Sequence, residues 1–356
     1  MLASLRARDF RIFETLDLDL DPGLNIVYGP NAQGKTSLLE AVYLLSTGKV
    51  LRGTRDVEAV RHGTDHARVE GDLGEVGTTL GVEIPAVGRK RATLNGAGLP
   101  RASDLLGRLP CVCFTADDAN LVRGEPSDRR EFFDVALSQL YPRYFRDLAA
   151  YKRAMEQRNA LLRHAREGFV APEQFEVWEA EMITHGEAMR ATRAEYLRDL
   201  EHEARGYVSE LSGEDFSVET VVKDQRPMKD WYTFHRSEDI ARGATQAGPH
   251  RDDWTWAIAG KDGKRYGSQG QQRTLAIALR VASLKVAQRV LGIAPLLLLD
   301  DIFAELDQSR QNRLIEIALA HEGQVVLTCT EIELAGPDLI ARAQRVRVSS
   351  GTVRVD

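Results

Sequence analysis

The stretch "GPNAQGKT", residues 29–36, constrains this chain more than any other. It fits the spacing G-x-x-x-x-G-K-[ST] without a mismatch. Such a loop works only where a buried strand delivers it and a helix leaves it. Both flanks comply: "LNIVYG" is a short apolar strand, and a helical pattern runs from Lys35 to Leu45. Gly29 and Gly34 let the backbone fold tightly, so that Pro30, Asn31, Ala32 and Gln33 can turn N–H groups inward around phosphates. Lys35 is expected to reach the β- and γ-phosphates of ATP, and the Thr36 hydroxyl to ligate Mg²⁺. The expected class is therefore α/β, built on a parallel sheet.

A second apolar strand, "PLLLLDD", ends in Asp300 and Asp301. A parallel strand delivers its last residues to the carboxyl edge of the sheet, where ligands of open α/β sheets bind. Asp300 is placed to hold Mg²⁺ and Asp301 to polarise the attacking water, so Lys35 and Asp301 are the expected catalytic residues.

Around these motifs the texture changes twice. Strand-like alternation fills the first thirty residues and residues 66–95, where Asn95-Gly96 signals a hairpin turn. From about Asn120 to Gly243 the pattern becomes helical. Leu148, Tyr151, Met155, Leu162 and Ala165, then Phe175, Trp178, Met182, Met189 and Tyr196, recur near heptad spacing, with Gly168 and Pro172 between the two runs. This fits either an antiparallel hairpin arm or the core of a helical bundle. Strands return with "WTWAI", and Asp262-Gly263 reads as a turn. The expected organisation is one α/β domain made from residues 1–118 and 246–356, with a helical insertion at 119–245.

"YGSQGQQRT", residues 266–274, opens a long helix far from the phosphate loop. Ser268 has N-cap chemistry and Gln271 is its capping-box partner. Gly270 bares the backbone there, so this helix start could also meet a γ-phosphate. If it lies on a different lobe from Gly29–Thr36, the phosphate it meets must come from another protomer.

These motifs resemble the ATP-binding-cassette heads of SMC-type proteins: GPNAQGKT, SQGQQ before LLLLDD, and "AELD" at 304–307. Finer matches narrow the resemblance to the RecF family of bacterial recombination-repair ATPases. They are "FRIFETLDLDLDPGLNIVYGPNAQGKTSLLEAVYLLSTGKVLR", "GEPSDRREFFD" and "GPHRDD" at 248–253. The resemblance implies an ATPase head of mixed sheets and flanking helices with an inserted helical arm. It also implies an ATP-bound homodimer that acts on DNA in gap repair, assists recombinase loading and SOS induction, and works with mediators of the RecO/RecR type. By position it makes Ser268 to Gln272 the signature and Asp307 the D-loop acid. Two departures point to slow hydrolysis: Asp301 stands where the wider pattern has glutamate, and Cys329 and Thr330 where it has a switch histidine. Rival readings are a DNA clamp that uses ATP only as a dimerising ligand, and an ATPase indifferent to DNA.

The net charge of −6 requires any DNA contact to be local. Residues 143–166 carry seven Arg or Lys against Asp147 and Glu156, whereas 173–203 is acidic. Arg153 and Arg158 in the basic helix, and Arg89, Lys90 and Arg91 beside a β-turn, are the expected phosphate contacts. Three cysteines, Cys111, Cys113 and Cys329, make no disulfide framework, and CVC has the wrong spacing for a zinc knuckle. With no leader pattern and no run of 18 apolar residues, a cytoplasmic protein free of the membrane is expected.

Overall fold

The helix that leaves the phosphate loop is buried around almost its whole circumference, and that decides the layering of the fold. In the computed structural model it spans Lys35–Thr47 (α1), and eleven of its thirteen residues are buried. A helix of this kind must be covered on two sides. Two six-stranded sheets cover it. The structure describes all residues except 54, 75–76, 169, 222–225 and 304–305.

The chain divides into two compact units, one of Met1–Asp117 with Ser283–Asp356 and the other of Asp118–Ala282. In the first unit, one sheet is antiparallel. It consists of β1 (Ser4–Phe10), β2 (Phe13–Asp19), β4 (His66–Asp72), β5 (Thr79–Pro85), β6 (Arg91–Leu94) and β7 (Ala97–Gly98), in the order β2-β1-β4-β5-β6-β7. Leu5, Leu16, Leu18, Val69, Val82 and Ile84 alternate with polar residues and face the core shared with Leu38, Leu39, Val42 and Leu45 of α1. The second sheet contains β3 (Leu24–Tyr28), β8 (Cys111–Thr115), β12 (Leu296–Asp300), β13 (Val325–Cys329), β14 (Ala343–Ser349) and β15 (Thr352–Val355). Its order is β15-β14-β3-β13-β12-β8, parallel except for β15. Helices α9 (Gln308–Ala320) and α10 (Pro337–Arg342) connect its later strands.

The second unit holds α2 (Asn120–Arg123), α3 (Pro126–Leu140), α4 (Pro142–Glu167), α5 (Pro172–Ser212) and α6 (Met228–Arg242). It also holds a sheet of β9 (Phe216–Val221), β10 (Asp253–Ile258) and β11 (Lys261–Asp262), followed by α7 (Gly263–Tyr266). Helix α8 (Gln269–Leu291) begins in this unit and ends in the other. Helices α4 and α5 pack antiparallel, but α6 packs on both, so Tyr151, Leu162, Phe175, Met182, Met189 and Tyr196 are core residues of a bundle.

Three sequence expectations change. The α/β domain expected to resume at 246 resumes in the first unit only at Ser283, because β10 pairs along its length with β9 inside the insertion. The insertion is thus not wholly helical. The turn expected at Asp262-Gly263 lies at Ala259-Gly260, both at positive φ, and Asp262 instead caps α7 by accepting from the Lys264 N–H.

Candidate nucleotide site

The phosphate loop joins β3 to α1, and its glycines are sterically required. Gly29 has φ +147°, and a Cβ there would lie 2.3 Å from the Val348 carbonyl oxygen. Gly34 has φ +116°, with Ile12 and Phe13 at 2.8 and 3.0 Å from such a Cβ. Ala32 takes a left-handed φ of 61° between them. Lys35 is buried and its Nζ donates to the Pro30 carbonyl at 3.1 Å, so the ammonium lies within the loop's own curve. The β14–β15 turn braces the loop from outside: the Ser350 N–H donates to Gln33 Oε1 at 2.6 Å, and the Gly351 N–H to the Gln33 carbonyl at 3.2 Å.

Parallel register carries the acids to the same edge. Asp300 ends β12 opposite Thr328 of β13, and Cys329 lies opposite Tyr28 of β3, one residue before the loop. The Thr328 hydroxyl donates to Asp300 Oδ1 at 2.9 Å and accepts from the Asp301 N–H at 2.9 Å. Thr36 of the phosphate loop lies beside the Asp300 carboxylate. Burial pushes the Asp300 carboxyl above the usual range, while the two threonine hydroxyls and the nearby Arg52 charge pull it back. Asp301 adopts φ 48°, and its buried Oδ1 has no hydrogen-bond partner among the described residues. A left-handed carboxylate with an unsatisfied oxygen is a strained arrangement of the kind found at functional sites.

A buried ion pair fixes the flank of the site. Arg11 donates from Nε and Nη2 to the two Glu40 oxygens at 2.8 and 2.7 Å, and Glu40 also accepts from the Leu51 and Arg52 N–H groups at 3.1 Å. The single buried carboxylate on α1 thereby holds the segment that carries Arg52. Cys329 is buried at the position expected for a switch histidine. Burial first, then the charges of Asp301 and Glu333, push its thiol up to about 12 against the opposing pull of Lys35. It stays protonated near neutral pH and supplies no acid–base function there.

Neither Thr328 nor the Arg11–Glu40 pair was singled out from the sequence. The available signals were a threonine near the end of an otherwise apolar strand and a lone acid inside an apolar helix. Asp307 caps α9, accepting from the Arg310 N–H at 3.0 Å, and that bond is the main reason its carboxyl sits below the usual range. Ala304 and Glu305 of "AELD" lie outside the described residues.

Ser268 to Gln272, the expected signature, belong to the other unit. The Ser268 N–H donates to Gln271 Oε1 at 2.8 Å and the Gln271 N–H to Ser268 Oγ at 3.2 Å, a reciprocal capping box at the start of α8. Ser268 is exposed and Gly270 half-buried, while Gln271 is anchored through its Nε2 to Glu214 at 2.7 Å.

Of the basic candidates, Arg89 and Arg91 are exposed, whereas Lys90 is tied to Asp56 at 2.8 Å and to the Gly48 carbonyl. Arg153 is exposed on α4. Arg158 corrects the expectation of a phosphate contact. It is fully buried, bonded to Glu179 at 3.0 Å, Asp239 at 2.7 Å and Thr245 at 2.9 Å. It follows Tyr151 by seven residues and precedes Leu162 by four, so it shares the apolar face of α4. Among the described residues no group of three or more His, Cys, Asp or Glu could hold a metal ion unaided. No described helix is long and apolar enough to cross a membrane.

Residues 1–337 match the family description "RecF/RecN/SMC N terminal domain". The chain is 36% identical over 384 residues to the DNA replication and repair protein RecF of Chloroflexus aurantiacus, covering 97% of each. It is 35% identical to the RecF of Symbiobacterium thermophilum, covering all of this chain and 98% of that one. Among solved structures, the recombination mediator RecF with ATP superposes with a TM-score of 0.89 at 29% identity, covering 100% of this chain and 97% of that chain. An Smc head domain from Pyrococcus furiosus superposes at 0.56 with 15% identity, covering 100% of this chain and 95% of that one, which supports the fold alone. The fold is that of an ATP-binding-cassette head.

Proposed function

The chain belongs to the RecF/RecN/SMC N-terminal domain family, and from that premise we propose that it is an ATP-dependent DNA-binding protein of replication and repair. Its relatives of like length are named for that process, and a structural neighbour is described as RecF with ATP in the RecFOR pathway. One observation carries the reading. A single Thr328 hydroxyl holds both the Asp300 carboxylate and the Asp301 backbone, at the sheet edge to which β3 delivers the phosphate loop.

In this reading Gly29–Thr36 wrap the phosphates of ATP. Lys35 moves its ammonium from the Pro30 carbonyl to the β- and γ-phosphates. Thr36 and Asp300 are hard oxygen donors, and two protein oxygens plus nucleotide phosphates suit Mg²⁺, which takes few protein ligands. When bound, the ion would neutralise charge on the β- and γ-phosphates. Asp301 then orients and polarises the attacking water through the oxygen that has no partner among the described residues. With a shorter acid at 301 and an inert thiol at 329, hydrolysis is slow.

Ser268, Gly270 and Gln271 belong to a different compact unit from Gly29–Thr36, so we assign them to the γ-phosphate on a second copy of the chain. Two copies related by a two-fold axis would bury two nucleotides, each between one loop and the partner's α8. Asp307 flanks the same interface. In this proposal ATP closes a homodimer on DNA and hydrolysis releases it, and the protein acts with mediators of the RecO/RecR type in recombinase loading and SOS induction. Steady-state ATPase with and without duplex DNA tests this. Slow turnover that DNA raises supports it, and turnover blind to DNA contradicts it.

A further inference from the structure

The outer face of the antiparallel sheet is polarised along its strands. Register sorts its side chains into rows that cross the sheet. One row holds Asp19, Ser4, Asp72 and Thr79, with acids and no base. The next holds Asp17, Arg6, Glu70, Gly81 and Thr93, two acids to one arginine. The third holds Thr15, Arg8, Arg68, Glu83 and Arg91, three arginines to one acid.

Within the third row Arg8 of β1 and Arg68 of β4 are direct cross-strand partners. Like charges directly opposite each other destabilise a sheet. Arg6 one row away has the stabilising solution, an acid across the strand at 3.2 Å. Arg68 instead turns along its own strand to Glu70 at 2.6 Å, and Arg8 pairs loosely with its neighbour Asp9 at 3.8 Å. Both remain well exposed, at 77% and 54% for Arg8 and Arg68. Arg91 is exposed as well, and exposed Arg89 follows in the β5–β6 turn.

We propose that the row Arg8–Arg68–Arg91 is a binding site for the phosphodiester backbone of duplex DNA. The proposal rests on the DNA-binding reading above and gives it a location. Three strand spacings separate Arg8 from Arg91, about 14 Å at about 4.8 Å each. That span covers about four phosphates of one strand at about 3.4 Å apiece along a duplex axis. No aromatic side chain stands in the row, so it offers no platform on which unpaired bases could stack. Arginines here position the protein without reading sequence. Glu83, between Arg68 and Arg91, faces the same phosphates and weakens the contact.

The test is fluorescence anisotropy with labelled duplex and single-stranded oligonucleotides over a range of salt, on the full chain with ATP. Arg8→Glu/Arg68→Glu/Arg91→Glu should bind ATP normally, lose duplex affinity more than tenfold, and flatten the slope of log K against log salt by roughly 2 to 3. Glu83→Gln should tighten duplex binding about threefold, a gain that misfolding cannot mimic and that stays readable if the triple variant fails to fold. The reversal Arg6→Glu, one row away, should change affinity less than any single reversal in the row. A wild type that binds no DNA overturns the functional reading and the row together. A wild type that binds, with a folded triple variant that keeps its affinity and slope, overturns the row alone. So does a Glu83→Gln variant that binds no more tightly than wild type, or a triple variant that loses only single-strand binding.

Discussion

A single hydroxyl does two jobs at the carboxyl edge of the parallel sheet. Thr328 donates to Asp300 and accepts from the Asp301 N–H, so it sets both the Asp300 carboxylate and the left-handed backbone of its neighbour. Thr328→Val keeps the shape of β13 and removes both bonds. ATP binding should persist while single-turnover hydrolysis falls about tenfold, the loss of about 1.4 kcal/mol of transition-state positioning. An unchanged rate removes Thr328 from the site. Asp301→Asn should retain ATP and prolong the ATP-bound dimer, and Asp300→Asn should weaken Mg²⁺-dependent nucleotide binding itself. Quench-flow and equilibrium titration separate the two, and equal effects on binding and rate would contradict the division of roles. The loop and the two acids were legible because their spacing and strand context are local. Thr328 was not, since its role depends on which strand pairs with β12.

At the scale of elements, the motifs "GEPSDRREFFD" and "GPHRDD" meet in the second unit. Arg129 of α3 donates to both Asp253 oxygens at 2.7 and 3.0 Å, and Arg130 to the Asp252 carbonyl at 3.1 Å. Phe133 stacks on Trp254 at 4.2 Å. His250 bridges the Tyr151 hydroxyl at 2.7 Å and the Thr245 carbonyl at 3.1 Å. A ring that donates to that carbonyl with one nitrogen and accepts from tyrosine with the other is neutral.

Burial pushes His250 down to about 4. Between that value and the ordinary 6.5 the unfolded chain binds the extra proton, so stability rises with pH across the window and falls as pH drops through it. The contribution is on the order of 2 to 3 kcal/mol. Urea titrations at pH 7 and pH 4.5 should show that loss, and His250→Gln should flatten it. A variant as pH-sensitive as wild type would assign the effect elsewhere.

Arg158→Met should cost about 3–5 kcal/mol, because Asp239 is left buried without its cation and Glu179 keeps only its pairing with Arg236. Arg153→Ala on the exposed face should stay within about 0.5 kcal/mol in the same denaturation assay. If both substitutions cost alike, the buried network is not what holds α4 to α5 and α6. Arg158 was expected at a phosphate, yet it lies seven residues after Tyr151 and four before Leu162, on the apolar face of α4. Its charge misled because the compensating acids lie 21 and 81 residues away in sequence.

For the whole molecule, the α/β class and most strands could be read from periodicity. The extent of the second unit could not, since β9 and β10 join residues on either side of the expected boundary. The same division separates the phosphate loop from Ser268 and leads to the central claim, that each nucleotide is completed by a second copy of the chain. Light scattering after size exclusion measures this most directly, with wild type, Lys35→Ala and Ser268→Arg in ATP and in ADP. Wild type should double its mass with ATP and not with ADP. Lys35→Ala should bind no ATP and stay monomeric, and Ser268→Arg should bind ATP yet stay monomeric. A Ser268→Arg protein that dimerises with ATP as wild type does would contradict the account.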